Sequence, residues 1–184
     1  MSTTAPLLPN GLVVIVKHEC ATCQMVEPVL SHIASATNSL TVYTQDDPTF
    51  PSSVSPIHDE DLSVSWHYDI DTVPTLIKVV NGKEVERTFG WKSTDWQRIT
   101  GIADLGADLP AMRPGCGSMS VDPDIVDKLR AKFTDSPVIA RTVEFSAAED
   151  EFEAMYARGW TDGLPVIPPT RERVLRMLTG TTRH

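Results

Sequence analysis

What most limits how this chain can fold is a pair of cysteines placed where a strand hands over to a helix. Gly11-Leu12-Val13-Val14-Ile15-Val16 is an apolar, β-branched run bounded by glycine, the pattern of a strand covered on both faces. Cys20-Ala21-Thr22-Cys23 comes just after it, and from Cys23 onward Val26, Val29, Leu30, Ile33 and Ala34 recur at helical spacing. Pro28 falls inside that helix, where its ring removes a backbone donor and crowds the preceding turn, so a kink is expected. A sulfur at the start of such a helix meets unpaired N–H groups and the positive end of the helix dipole, which favours thiolate over thiol. Cys20 is thus the predicted catalytic nucleophile. Cys23, one turn deeper, is placed to reach back and resolve a mixed disulfide. The rival reading is a metal held by His18, Cys20 and Cys23. A structural zinc site would want a second ligand pair of similar spacing, and none stands near, although copper carriers also present two cysteines at a strand-to-helix junction. The dithiol reading needs no metal and no cofactor beyond a Cys20–Cys23 disulfide.

The rest of the first half alternates strand and helix signals. Leu40 to Thr44 reads as a second strand. Asp46 to Asp61, rich in Pro, Ser and Asp, reads as a long solvated surface loop, with a short helix from near Asp59 to near Tyr68. Thr75 to Val80, then Asn81-Gly82, then Glu84 to Phe89 is the strongest local signal: a β-hairpin whose turn takes the positive φ angles that Asn-Gly supplies readily. Ser93 or Thr94 can cap a helix to about Ile102, with Trp96 and Ile99 on its buried side.

Charge and cysteine usage exclude several function classes. A formal net charge of -9 leaves little basis for binding nucleic acid, which demands clustered Lys and Arg against phosphates. No apolar run approaches the roughly 20 residues that a membrane span needs, and Met1 to Asn10 has no basic segment ahead of an apolar one. A cytoplasmic protein with protein or small-molecule partners is expected. Three cysteines are too few for a disulfide-stapled scaffold.

Longer stretches narrow the reading. Cys20 to Leu30, with its internal proline, resembles the active-site helix of the thioredoxin family. Tyr68-Asp69-Ile70-Asp71-Thr72-Val73-Pro74-Thr75-Leu76, then Asn81-Gly82-Lys83 and Gly90, is similar to that family's second half. The resemblance runs in order from about Leu12 to Ile102. It implies an α/β fold, a central mixed sheet flanked by helices, and thiol-disulfide oxidoreductase activity. It also implies a cis Val73-Pro74 bond facing the dithiol, with Val73, Pro74 and Thr75 offering a backbone edge to an extended substrate or partner segment. Trp91, just after Gly90, is a further candidate for that surface, with a core or rim aromatic as the equal alternative. Some positions depart from the family. Its usual Trp-Cys-Gly-Pro-Cys stands here as Glu19-Cys20-Ala21-Thr22-Cys23, which places a carboxylate beside the nucleophile, while Val14 and Thr44 match its buried acid and the paired lysine. These changes point to an electron carrier dedicated to one protein partner, a reductase or an enzyme subunit.

On this reading residues 1–106 form the thioredoxin-like domain and 107–184 a helical and irregular C-terminal extension. Asp122 with Pro123 begins one helix towards Phe133, Ser146 to Glu149 is a capping box for another that Gly159 ends, and a last helix runs from Thr170 to about Leu178. Pro137 to Phe145 reads as extended. About 75 residues could barely sustain a core of their own, so the extension is expected to dock on the domain or on a partner subunit, giving a hetero-oligomer. Gly115-Cys116-Gly117-Ser118, with Gly159 to Pro165, resembles a family named for a selenocysteine-Gly-Ser-Cys motif, with Met119 at the second cysteine position. That resemblance makes Cys116 an additional candidate reactive thiol. The alternative from a different class is a non-catalytic thioredoxin-fold subunit of a larger enzyme complex, its tail completing a partner's domain. The remaining histidines, His32, His58, His67 and His184, show no ligand spacing.

Overall fold

The computed structural model describes residues 5–134, 143–146 and 149–180. In chain order the elements are β1 (Gly11–Val16), α1 (Ala21–Ala36), β2 (Leu40–Thr44), β3 (Ile57–His58), α2 (Ser63–His67), β4 (Thr72–Val73), β5 (Thr75–Val80), β6 (Lys83–Phe89), β7 (Trp91–Lys92), α3 (Ser93–Thr100), β8 (Met112–Arg113), β9 (Cys116–Gly117), a 3-10 turn at Met119–Val121, α4 (Pro123–Phe133), α5 (Glu151–Ala157) and α6 (Arg171–Leu178). Five strands form one mixed sheet in the order β3-β2-β1-β5-β6. β1 takes the centre because Val13, Val14, Ile15 and Val16 are wholly buried, as a strand with no polar face must be. It pairs in parallel with β2 and antiparallel with β5. α1 and α3 close the core with Val26, Val29, Leu30, Ile33, Trp96 and Ile99. Each such side chain contributes about 1.5–3 kcal/mol on burial.

The β5–β6 hairpin turns through Asn81 (φ 53) and Gly82 (φ 71), as the Asn-Gly pair requires. α1 continues through Pro28 to Ala36. Three expectations are corrected. The 46–61 stretch is not simply solvated: Phe50 and Pro51 are buried, and the Glu27 carboxylate accepts hydrogen bonds from Ser52 N (2.7 Å), Ser52 Oγ (2.8 Å) and Ser53 N (3.2 Å). One apolar ring and one acidic partner on α1 anchor what composition alone reads as surface. α3 starts at Ser93 itself, so neither Ser93 nor Thr94 caps it. Its N-cap is Lys92, which makes no side-chain bond there. α5 is capped by Asp150, whose carboxylate accepts from Phe152 N (2.9 Å) and Glu153 N (3.1 Å), rather than by Ser146. The stretch Pro137 to Phe145 falls largely outside the described residues, and His184 wholly so.

Among the described residues no helix is long and apolar enough to cross a membrane. One buried side-chain atom among them lacks a hydrogen-bond partner, Thr44 Oγ1 on β2. Burying a hydroxyl without a partner costs on the order of 1–3 kcal/mol. Thr44→Val, which keeps the shape and removes the hydroxyl, is therefore expected to stabilise the fold by about 1 kcal/mol, read as a raised urea midpoint at unchanged slope.

Candidate active site

The chain ahead of the cysteines is pinned by a residue that sequence reasoning did not single out. Both oxygens of Asp46, just past β2, accept backbone N–H groups, from His18 at 2.7 Å and Glu19 at 2.9 Å. That turn delivers Cys20 to the N-cap of α1, and the cap is the sulfur itself: Cys23 N–H donates to Cys20 Sγ at 3.3 Å. An anionic acceptor suits that position, because the first turn of a helix leaves its N–H groups unpaired and its dipole positive. Glu19 is exposed, and the His18 ring sits edge-on to Phe50 with centroids 5.2 Å apart. Among the described residues, no three metal-ligating side chains converge.

Cys20 and Cys23 approach to 3.1 Å, both as free thiols. The Cys20 thiol is pulled down to about 5, chiefly by the hydrogen bond from the Cys23 side chain, against a contrary push from burial. The Cys116 side chain and the backbone N–H groups of Cys23 and Thr22 add to the lowering. Cys23 moves strongly the other way, because it is buried and because the neighbouring Cys20 charge and hydrogen bond hold its proton. One sulfur is thus a thiolate at neutral pH and the other its proton-bearing partner, the division of labour that stepwise disulfide exchange needs.

The Val73-Pro74 bond is cis, and Cys20 Sγ lies 3.5 Å from the Val73 carbonyl oxygen, a hydrogen bond for the thiol form. Val73, Pro74 and Thr75 therefore do stand against the dithiol, but the edge is not open. β9 pairs antiparallel with β4, setting Cys116 opposite Val73 and Gly117 opposite Thr72, while β8 pairs with β7. The segment is fastened at several points. Thr22 Oγ1 donates to Pro114 O at 2.6 Å, Lys17 Nζ to Gly117 O at 2.8 Å, and Ser118 N to Asp71 O at 3.0 Å. Gln45, buried at the end of β2, donates through Nε2 to Ser65 Oγ (2.7 Å) and Ser118 Oγ (2.6 Å) and accepts from Met119 N at 3.1 Å. With the segment seated, Cys20 is 2% exposed and Cys116 is half-buried.

Trp91 corrects the sequence reading. It is fully buried, tilted against Trp96 with centroids 5.3 Å apart, and its Nε1 donates to Pro110 O at 2.7 Å. A ring with no exposed surface cannot offer contact to a substrate. It holds the start of the extension against the domain instead. Of the sequence candidates, then, Cys20, Cys23, Val73, Pro74, Thr75 and Cys116 come together. Asp46 and Gln45 were missed, since a polar residue at a strand end carries no motif.

No family model matches the chain. Over 93 residues it is 31% identical to the thioredoxin of Chlamydia trachomatis, a match covering 50% of this chain and 80% of that protein. The thioredoxin of Chlamydia muridarum is 33% identical over the same length and the same shares. Among solved structures, the Schistosoma mansoni thioredoxin pre-protein aligns at 20% identity and a TM-score of 0.37, covering 50% of this chain and 79% of its own. StoA from Bacillus subtilis aligns at 13% identity and a TM-score of 0.43, with 54% and 99% covered. At 31% and 33% identity with four-fifths of each thioredoxin covered, this chain belongs to the thioredoxin family of thiol-disulfide oxidoreductases.

Proposed function

We propose that this chain passes electrons through the Cys20/Cys23 dithiol to a dedicated protein partner. The observation that carries the reading is the Cys20 sulfur as N-cap of α1, charged near pH 5 and above, with a proton-bearing Cys23 against it. In the reducing direction the Cys20 thiolate attacks one sulfur of a disulfide, forming a mixed disulfide and expelling the other sulfur as a thiolate that takes a proton. Cys23 then loses its proton and attacks Cys20 Sγ. The substrate leaves as its second thiol, two electrons richer, and Cys20–Cys23 remains as the disulfide. Once Cys20 is in the mixed disulfide its charge is gone, which removes part of what holds the proton on Cys23.

A dedicated protein partner is supported by the extension, where Phe152, Tyr156, Trp160, Leu164 and Ile167 are each about half exposed or more. Apolar side chains gathered in one stretch of surface mark interaction sites. Cysteine usage supports a cytoplasmic setting, because an isolated pair in a chain without a disulfide framework suits a reducing compartment. The covered edge at Val73 favours the second reading, a non-catalytic subunit built on the same fold. Titrating the full chain in glutathione redox buffers, with alkylation of the remaining thiols and peptide mapping, separates the two. The expected result is joint loss of the Cys20 and Cys23 thiols in a single two-electron step. Cysteines that stay reduced throughout, or that only take up glutathione one by one, would exclude the electron carrier.

A further inference from the structure

Substrate strands that add to a sheet edge are held by main-chain hydrogen bonds, with side chains supplying the chemistry. Here the edge beside the dithiol is filled by the chain's own Pro114–Ser118, in an antiparallel pairing that sets Cys116 opposite Val73. The closeness of this seat is written into its glycine. A Cβ on Gly115 would stand 2.4 Å from Thr72 Cγ2 and 2.6 Å from Val73 O, so only glycine lets the backbone come this near. Cys20 Sγ lies 3.5 Å from the carbonyl oxygen of Val73, the residue that Cys116 faces, and the two thiols act on one another: Cys116 helps to lower Cys20, while burial and then Cys20 raise Cys116. A cysteine therefore already stands on the strand beside the nucleophile, where a substrate cysteine would come.

Resting on the dithiol reading above, we infer that Pro114–Ser118 is a built-in substrate strand and that Cys116 is a third redox-active cysteine, the internal exchange partner of Cys20. In the oxidised protein the Cys116 sulfur, giving up its proton, attacks Cys20 Sγ. The Cys20–Cys116 bond forms as Cys20–Cys23 breaks, and the electron pair goes to Cys23, which takes the proton. The step is neutral in electrons: it moves the disulfide from a buried pair to one that includes the half-buried Cys116. An external thiol then attacks Cys116 Sγ and expels Cys20, the better leaving group because it has the lowest proton affinity of the three. A second substrate thiol releases Cys116 as a free thiol and carries the disulfide away, so two electrons pass from the substrate pair to the protein. The same steps in reverse reduce a disulfide. The substrate class is then a thiol or disulfide that reaches Cys116 from solvent, with no need to add a strand at Val73.

The test uses the full chain carrying Cys23→Ser, in which the buried pair cannot close, with glutathione disulfide as the probe. The expected product is a protein lacking two hydrogens, with a Cys20–Cys116 peptide link and no retained glutathione. In the Cys23→Ser, Cys116→Ser double variant the glutathione adduct on Cys20 should persist, clearing at least about tenfold more slowly, because the tethered thiol's effective concentration is lost. A stable adduct on Cys20 with Cys116 still open to alkylation in the single variant would overturn the inference, as would disulfide dimers through Cys116. Cys23→Ala gives the same readout should the buried serine impair folding. The wild type in the same buffer keeps the two readings apart. A Cys20–Cys23 disulfide there, with a lasting adduct in the variant, removes only the role of Cys116, whereas no disulfide in either protein removes both.

Discussion

Cys20→Ser should lower disulfide exchange by at least about a thousandfold, the scale on which loss of a covalent nucleophile acts. The attacking species is a thiolate, and a serine hydroxyl on the same helix stays protonated at any working pH. The variant should fold normally, since serine is itself a favoured N-cap and can accept the Cys23 N–H that the sulfur now accepts. In the wild-type chain the initial exchange rate should be flat from neutral pH down to about pH 6 and then fall, half-lost at about 5, as the Cys20 thiolate takes up its proton. The direction follows from the lowered proton affinity: the charged, active form exists above that pH and disappears below it. An initial rate that instead rose steadily from pH 6 to 9 would mean that Cys20 titrates like an ordinary thiol, and that capping α1 does not activate it. Exchange with a small disulfide under pseudo-first-order conditions gives both results.

Gly115→Val should eject the β9 segment from the dithiol. The added side chain would have to occupy the space of Thr72 Cγ2 and the Val73 carbonyl oxygen, and backbone does not yield as a flexible side chain does. Lost with the segment are the β4–β9 pairing and the bonds from Thr22 to Pro114 O and from Lys17 to Gly117 O. At about 1 kcal/mol each, these amount to about 3 kcal/mol of docking free energy, or about 100-fold in the population with Cys20 exposed. Maleimide labelling of Cys20 should quicken by that factor. The urea midpoint should fall by the equivalent of that same free energy, since the segment docks only on the folded sheet, while the core of β1, α1 and the β5–β6 hairpin keeps the variant folded. Unchanged labelling in a folded variant would mean that the segment is not what covers the sulfur.

Much of this was legible in the residues, and the parts that were not share a cause. β1 declared itself by having no polar face, and its complete burial between β2 and β5 follows from that. The hairpin was readable because Asn81-Gly82 sits between two β-rich runs, and α4 because Asp122 and Pro123 mark a helix start. By contrast, β4 and β9 are two residues each, too short for any periodicity, and their partnership joins segments far apart in the chain. Phe50 in a polar loop and Trp91 after a glycine looked like surface or site residues, and which side of a backbone becomes inside is decided by what packs there. Asp46 and Gln45 gave no signal, because an isolated polar residue gains its role only from the N–H and hydroxyl groups brought to it.

Sequence by itself determined β1, β2, the β5–β6 hairpin and the helix that begins at the two sulfurs, since these are set by local patterns of burial and turn, while the proline partner at position 74 followed from the family resemblance. Only the tertiary structure decided that the edge beside those sulfurs is filled from within and that Cys116 faces Val73 beside Cys20. Such pairing between distant segments depends on glycine-sized clearances and single hydrogen bonds, which a one-dimensional pattern does not encode.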